Sequence, residues 1–249
     1  MDVLVVGLEG VLVGFGVAFV LRLLHPLARR YRFVDMPDHR KRHRRPTPLI
    51  GGYGLLVGLV LALAFAGFLG ISLWWIFLGT VLALTVLGSV DDAYEVSARS
   101  RLLFQGAVVT AALWVSGMVI EQLGMLMGDE VVRMSFGLGL AFTVVCALAA
   151  INSYNMIDGI DGLAASQAGI SLAGLMVLAS FTGQAGLAVL AGFLVLALAV
   201  FMAFNLEIPL FRGRKAFLGD GGSTSLGFLL VWLLVFASQR EPLIRPITA

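Results

Sequence analysis

The residues of this chain that could do chemistry are concentrated in a short polar segment between two long apolar runs. It carries two amides, Asn152 and Asn155, and two carboxylates, Asp158 and Asp161, each three positions after the last. Carboxylates at the edge of a membrane are costly and usually serve function. A helix tightened towards 3₁₀ would hold such residues near one line, whereas an α-helix would spread them. We expect a helix ending near Met156 and a turn presenting both aspartates to water. The alternative is a pair of capped helix ends, with Asp161 capping the next helix.

A second acidic pair, Asp91 and Asp92, follows an apolar run that we expect to end at Val90. Acids at the negative end of a helix dipole are unfavourable by about 0.3–1 kcal/mol each. A divalent cation or a nearby base such as Arg101 would offset this cost. Mutual repulsion would also raise the pKa of one carboxyl, which suits a proton acceptor. Two solvated loop acids are the alternative. Arg101 and Gln105 are one turn apart and share a helix face.

A third acid, Asp220, lies between glycines in the segment from Gly219 to Ser223. Glycines around one acid, followed by hydroxyls, are typical of a loop running into a helix N-terminus. Such an end offers free N–H groups and a positive dipole to an anion. The alternative is that Asp220 only caps the helix.

A basic loop spans residues 25–48 and includes Lys41 and Arg42. Basic clusters beside a membrane attract anionic headgroups, at about 1 kcal/mol per charge. The Pro-Thr-Pro and Gly-Gly that follow allow close approach of a helix or ligand. For any single residue here, lipid anchoring and phosphate contact stay open.

These residues are set in a chain that must be embedded in a membrane. Its mean hydropathy is +0.98, and only 13% of its residues are charged. Apolar runs of about 20 residues indicate transmembrane helices, and runs of this length exclude a β-barrel. We predict an all-α polytopic bundle forming one domain over 1–249, with approximate spans at 3–24, 49–69, 72–90, 102–119, 136–151, 163–182, 185–205 and 221–238.

The distribution of Lys and Arg predicts the orientation of the bundle. Fourteen of the 17 basic residues fall on the side of the first loop, and only Arg133, Arg240 and Arg245 on the other. The N-terminus is therefore predicted outside and the first loop in the cytoplasm. The net charge of +2 reflects this sidedness and gives no indication of nucleic-acid binding. The lone Cys146 excludes an intramolecular disulfide and a cysteine metal cluster.

The topology predicts one shared site, because odd helices end and even helices begin on the cytoplasmic side. All the polar segments above then lie at one membrane face, together with four helix N-termini. Carboxylates and bases in this arrangement suit Mg²⁺ with a diphosphate, since Mg²⁺ is usually held by one or two carboxylates plus phosphate oxygens. The sequence offers no His-rich or Cys set for zinc.

At these residues the chain resembles the polyprenyl-phosphate N-acetylhexosamine-1-phosphate transferases. The resemblance rests on Asp91-Asp92, the segment from Asn152 to Gly162, the loop from Gly219 to Ser223, and the basic run from Arg40 to Gly52. Within the family, the chain is most similar to the branch that transfers N-acetylglucosamine 1-phosphate to undecaprenyl phosphate. The resemblance implies a Mg²⁺-dependent enzyme of the bacterial inner membrane, with Mn²⁺ as an alternative ion. It would release UMP from UDP-N-acetylglucosamine at the cytoplasmic face and initiate a lipid-linked envelope glycan such as O-antigen.

The resemblance also implies roles for individual residues. Asp220, supported by Asp92, is expected to bind the metal, and Asp91 to deprotonate or orient the attacking phosphate. Asp158 and Asp161 are expected at the diphosphate and nucleotide. The expected substrate-binding residues are Lys41, Arg42, Arg101, Asn152, Asn155, Gly219 and Ser223.

Several alternatives stay open from the sequence. Family members continue beyond the point where this chain ends, with further helices and a His-x-His-His loop, so an inactive or shortened form is one alternative. Another UDP-N-acetyl sugar, a non-catalytic membrane scaffold and an anion transporter are others, although transporter sites lie near the bilayer midplane. Glycine-rich helix faces allow packing within the bundle or in a homodimer.

Overall fold

The protein is a bundle of eight long helices, seen in a computed structural model that describes residues 3–37, 45–124 and 130–240. In chain order these helices are α1 (Val3–Arg30), α2 (Gly51–Phe65), α3 (Ser72–Tyr94), α4 (Ala98–Ser116), α5 (Phe136–Ile157), α6 (Leu163–Phe181), α7 (Ala185–Asn205) and α8 (Gly219–Val235). Short 3₁₀ turns occur at Phe68–Gly70 and Pro209–Phe211, and one π-helical turn at Phe236–Arg240 extends α8.

The predicted all-α class and the eight helices are confirmed, but only six helices in the described ranges are long and apolar enough to cross a membrane. Helix α2 has 15 residues and is about 22 Å long, shorter than the roughly 30 Å hydrocarbon core. Helix α4 begins with the sequence Ala-Arg-Ser-Arg, which lowers its mean hydropathy. The chain is therefore a multi-pass membrane protein. Six of the described helices are long and apolar enough to span the membrane, whereas α2 is too short and α4 is less apolar.

Helix α8 is the centre of the bundle and packs against α2, α3, α5 and α6. Glycines make this packing possible. A Cβ on Gly88 of α3 would lie 2.3 Å from the backbone nitrogen of Gly221, and one on Gly52 of α2 would lie 2.7 Å from the Cα of Gly222. These backbones touch with no side chain between them. The position of α8 along its neighbours is therefore fixed by direct backbone contact.

Several helix ends differ from the approximate prediction: α1 continues past residue 24 to Arg30, into the predicted loop, and α2 is shorter than predicted. Three further differences move polar residues of the acidic segments into helices. Helix α3 continues past Val90 to Tyr94, so the acidic pair lies in its last turn and not in a loop. Helix α4 begins at Ala98, because the side chain of Ser97 accepts the N–H of Ser100. Helix α8 begins at Gly219, so its acid lies in the first turn.

Small strands, which the sequence analysis did not predict, shape the loops at both ends of the bundle. Strand β1 (Val34–Asp35) pairs antiparallel with β2 (Thr47–Pro48), and a parallel bridge joins Leu49 to Phe217. At the other end, β3 (Gln122–Gly124) pairs with β4 (Val132–Arg133). The first pair attaches the segment after α1 to the segment before α2, and the bridge attaches the segment before α2 to the segment before α8.

Candidate active site

A cavity of about 930 Å³ opens where α3, α5 and α7 end and α8 begins. This location agrees with the predicted convergence of odd helix ends and even helix starts. Its charged and amide lining consists of Asp35, Asp92, Asn155, Asp158, Asp161, Asn205, Lys215 and Asp220, with Leu49, Phe217 and Leu218 among the apolar wall residues. A wall with five acids and one base would attract cations.

Asp92 is bound to the backbone of α8. Its two carboxylate oxygens accept the N–H of Asp220 at 3.1 and 3.0 Å. The approach requires a glycine at the start of α8: Gly219 has φ +74°, and a Cβ there would lie 2.8 Å from Oδ2 of Asp92. Helix N-terminal N–H groups lack intrahelical partners, so the carboxylate satisfies one of them and neutralises the dipole.

Asp91 is held differently, although it is the next residue. Its Oδ2 accepts a hydrogen bond from Nη1 of Arg101 at 2.6 Å, and its Oδ1 accepts the N–H of Val96 at 2.8 Å. The same Arg101 nitrogen lies 3.7 Å from Oδ2 of Asp220. Asp91 is only 7% exposed and is not part of the cavity wall. The expectation that Asp91 contacts the attacking phosphate therefore has no support in this geometry, whereas Asp92 is on the wall.

Asn155 orients the carboxylate of Asp220. Its Nδ2 donates to Oδ1 of Asp220 at 2.8 Å and to Oγ of Ser223 at 3.2 Å. Ser223 is fully buried, and its hydroxyl donates to the carbonyl of Gly219. Ser223 therefore supports Asn155 from behind, and the structure does not bring it to the cavity as a substrate ligand.

Asn152 points away from the cavity, towards α4. Its Nδ2 donates to Oε1 of Gln105 at 3.2 Å and to the carbonyl of Leu148 at 2.8 Å. The expected tightening towards 3₁₀ is not observed, because α5 remains α-helical to Ile157. Residues three apart on an α-helix are rotated by about 60°, which separates Asn152 from Asn155. In place of the predicted substrate contact, Asn152 makes a half-buried contact between helices.

The turn predicted after α5 is present, and its Asp158 and Asp161, which were expected to face water, line the cavity. Asp158 occupies the C-terminal cap of α5, and Gly162, at φ +73°, precedes α6. Asp161 does not cap α6, because Gly162 occupies that position. Instead, its Oδ2 accepts a hydrogen bond from Nζ of Lys215.

The electrostatics of the cavity are strongest at Asp158. Burial, together with the negative charges of Asp220, Asp92 and Asp161, raises the pKa of Asp158 from its ordinary value to about 8. Carboxylates that repel one another in this way indicate a site that binds a cation, because a bound positive charge would offset the repulsion.

A divalent cation fits this arrangement of carboxylates. In the described ranges no three His, Cys, Asp or Glu side chains form a ready-made metal cluster. Magnesium does not need one, since it commonly takes one or two carboxylates with phosphate oxygens and water. Asp158 and Asp220 line the cavity and repel each other, so the donor set fits Mg²⁺ bound together with a phosphate ligand.

Sequence reasoning did not propose three polar residues of the cavity wall as site residues: Asp35, Asn205 and Lys215. Asn205 closes α7, is 4% exposed, and donates from Nδ2 to the carbonyl of Ala216 at 3.0 Å. The rule that odd helices end at the shared face applies to Asn205 and could have identified it. Lys215 was counted only as a sidedness signal, and Asp35 lies in a strand that was not predicted. The predicted contacts of Lys41 and Arg42 lie outside the described residues.

Comparison with known proteins decides the family. The sequence profile of glycosyl transferase family 4 matches residues 74–238, which is most of the chain and includes most of the cavity wall. The chain belongs to glycosyl transferase family 4. The profile therefore covers the segments with Asp91, Asp92, Asn152 to Gly162 and Gly219 to Ser223.

Relatives of this family 4 chain carry the same name in several bacteria. It is 31% identical to the undecaprenyl-phosphate alpha-N-acetylglucosaminyl 1-phosphate transferase of Escherichia coli strain K12 over 251 residues, covering 100% of this chain and 67% of that protein. The protein of that name from Yersinia pestis is 33% identical over 94% of this chain and 64% of its own length. The protein of that name from Haemophilus influenzae is 32% identical over 94% of this chain and 66% of its own length. The family 4 chain thus spans about two thirds of the length of these relatives.

Proposed function

We propose that this protein transfers a phospho-N-acetylhexosamine from a UDP-sugar to undecaprenyl phosphate. The observation that carries the proposal is the cavity that gathers Asp92, Asp158, Asp161 and Asp220 at one end of the bundle. Its volume of about 930 Å³ lies in the range of small-ligand sites. The names of the relatives and the family match support the same reaction.

In this reaction an oxygen of the lipid phosphate attacks the β-phosphorus of the UDP-sugar. The new P–O bond forms as the bond between the β-phosphorus and the bridging oxygen breaks, and that oxygen leaves on UMP. The products are undecaprenyl-diphospho-sugar and UMP. Catalysis of such a transfer consists mainly of positioning the groups and neutralising charge.

Asp158 and Asp220 would hold Mg²⁺ with the diphosphate. The supporting metal role predicted for Asp92 is reassigned to Asp158, because both oxygens of Asp92 accept the N–H of Asp220. When bound, the ion neutralises charge on the phosphate oxygens and orients them. The residues around Asp220 prepare its carboxylate for this role. Asn155 donates to one oxygen, Arg101 lies near the other, and Asp92 fixes the backbone N–H.

The remaining wall residues are assigned by position. Asp161 and Lys215 form an ion pair at the turn after α5, and we assign them to the nucleotide side. Asp92 is our candidate for orienting the attacking phosphate, because it is on the wall and Asp91 is not. Asp91 is a positioning residue that holds Arg101.

The setting of the reaction is part of the proposal. We place the protein in a bacterial inner membrane with the cavity facing the cytoplasm, since that end carries most of the basic residues. UDP-N-acetylglucosamine is the proposed donor, with another UDP-N-acetyl sugar as the alternative. A lipid-linked envelope glycan such as O-antigen is the proposed downstream product.

The test is UMP release by purified protein given undecaprenyl phosphate and one UDP-sugar at a time, with Mg²⁺ or with EDTA. The assay is run on residues 1–249 and on a fusion carrying the C-terminal part of the Escherichia coli relative. We expect lipid-dependent release that EDTA abolishes and that Asp220→Ala eliminates. Asp220→Glu should change the Mg²⁺ concentration required. Release that is independent of the lipid or of Mg²⁺ would contradict the proposal, and sugar binding without turnover in both forms would favour the scaffold.

A further inference from the structure

Helix α1 contributes no residue to the wall of the candidate active site, yet one of its faces runs along the loop that carries Lys215. The guanidinium of Arg22 lies 5.2 Å from the centre of the Phe211 ring, in the loop between α7 and α8. Further along α1, Arg29 lines a second cleft together with Lys215. His25 lies between these two arginines, because residues three and four apart share a helix face. The end of α1 therefore packs against this loop.

His25 is the buried member of this face, with 8% of its surface exposed. Its ring donates a hydrogen bond to the backbone carbonyl of Lys215. The ring nitrogen Nε2 is buried and has no hydrogen-bond partner among the described residues, so the bond is made by Nδ1. A buried nitrogen without a partner lowers stability, and a leucine of similar size would avoid that cost. The contribution of this ring is therefore its bond to the loop, and packing alone does not account for it.

The side chain of Lys215 extends from this held backbone into the candidate active site. Its Nζ donates to Oδ2 of Asp161 and lies 5.2 Å from the centre of the Phe217 ring. A lysine side chain loses much rotamer freedom when it is held in one place, and exposed ion pairs are weak partly for this reason. A fixed backbone removes part of the freedom that the ion pair must otherwise overcome.

We propose that His25 is a positioning residue, which holds the backbone of Lys215 so that its amine stays at Asp161 on the nucleotide side of the cavity. His25 does not line the cavity, so it acts through Lys215. The match to the family profile begins at residue 74 and gives no role to α1. Only the consequence for turnover rests on the proposed transferase reaction, since the contact itself is tested without substrate.

Amine labelling of the full chain in detergent tests the contact. The chain has two lysines, Lys41 and Lys215, so mass spectrometry after brief treatment with acetic anhydride follows each one separately. His25→Leu should speed the labelling of Lys215 about two- to fivefold, the change expected when an exposed ion pair is lost. Lys41 is the internal reference. Asp161→Asn removes the pair directly and should give the same change, and adding His25→Leu to it should give no further increase.

Leu21→Ala is the matched control for a general loosening of α1. Leu21 is fully buried one turn before His25 and packs against Gly54 of α2. This variant should lower the unfolding midpoint and leave the labelling of Lys215 unchanged. Equal labelling in Leu21→Ala and His25→Leu would overturn the positioning role, as would unchanged labelling in His25→Leu.

Two further variants make the same comparison if His25→Leu does not fold. Asparagine carries its N–H groups near the position of the histidine Nδ1, whereas glutamine carries them near that of Nε2. His25→Asn should therefore keep the slow labelling of Lys215, and His25→Gln should not. Equal labelling of these two variants would contradict the bond from Nδ1.

The consequence for turnover is a change in KM. If Lys215 holds the nucleotide, His25→Leu should raise the KM for the UDP-sugar about two- to fivefold with kcat nearly unchanged, and His25→Asn should restore it. Changed labelling with an unchanged KM would overturn the role in substrate binding. Changed labelling without UMP release in any form would support the contact and count against the transferase, so the two proposals fail separately.

Discussion

The carboxylate of Asp92, in the last turn of α3, accepts the backbone N–H of Asp220, in the first turn of α8. The negative end of one helix thus presents an acid to the positive end of another, so each offsets the other's dipole. The contact connects two sequence motifs separated by more than half the chain. It also places the Asp220 side chain beside Asn155 and Arg101.

Replacing Asp92 tests this contact. Asp92→Ala leaves the N–H at the start of α8 without its acceptor, which we expect to cost about 1–3 kcal/mol of stability. Asp92→Asn keeps one acceptor oxygen and should cost less, while UMP release falls in both. Thermal unfolding in detergent and the release assay give the two readouts. Glu95→Gln, an exposed change at the same helix end, is the control. Equal stability of Asp92→Ala and the control would contradict the structural role.

The ion pair of Asp91 with Arg101 leads to a double-mutant test. Arg101→Gln leaves the buried Asp91 carboxylate without its charged partner, at an expected cost of about 1.5–3 kcal/mol. The double variant Asp91→Asn, Arg101→Gln should be more stable than Arg101→Gln alone, because no buried charge is then left unpaired. Unfolding midpoints of the two singles and the double measure the coupling. Additive losses would show that the pair does not act as a unit.

Asp158 predicts a pH dependence of stability. Its pKa is about 8 in the folded protein and near the ordinary 3.8 when unfolded, so the folded state retains a proton between these values. The stability it contributes is present below pH 4 and is lost as pH rises towards 8. In EDTA, Asp158→Asn should therefore gain stability over the natural chain progressively across that window. Unfolding midpoints of the two proteins from pH 5 to 9 check this. A constant difference at all pH values would contradict it.

The contact of α3 with α8 gives a matched pair of glycine substitutions. A Cβ at Gly88 would lie 2.3 Å from the Gly221 nitrogen, whereas a Cβ at Gly79 on the same helix meets nothing within 4 Å. Gly88→Ala should force the helices apart and cost about 1–3 kcal/mol. Gly79→Ala should be neutral or stabilise by about 0.5–1 kcal/mol through helix propensity. Thermal unfolding midpoints of the two variants in detergent compare their stabilities, and UMP release should fall only for Gly88→Ala. Similar behaviour of both would rule out the close packing.

The sequence alone determined that the three acidic motifs lie at one end of the bundle. Apolar runs define the helices, and alternation of their direction brings every odd end and every even start to one face. This alternation is sufficient to place Asp92, Asp158, Asp161 and Asp220 at the same membrane face. The helix ends were less predictable. Helix α3 continues through Asp91 and Asp92 to Tyr94, and the carboxylate of Asp92 is stabilised there by the N–H of Asp220 at the start of α8, a contact that the sequence does not reveal.

Only the tertiary structure decided what each of these residues faces. Adjacent residues on a helix differ by about 100°, so Asp91 turns to Arg101 while Asp92 turns to α8. In the same way Asn155 meets Asp220, and Asn152 meets Gln105. Sequence spacing gives the angle of a side chain about its own helix. The neighbour found at that angle depends on how the helices pack, which is set here by backbone contacts at glycines far apart in the chain.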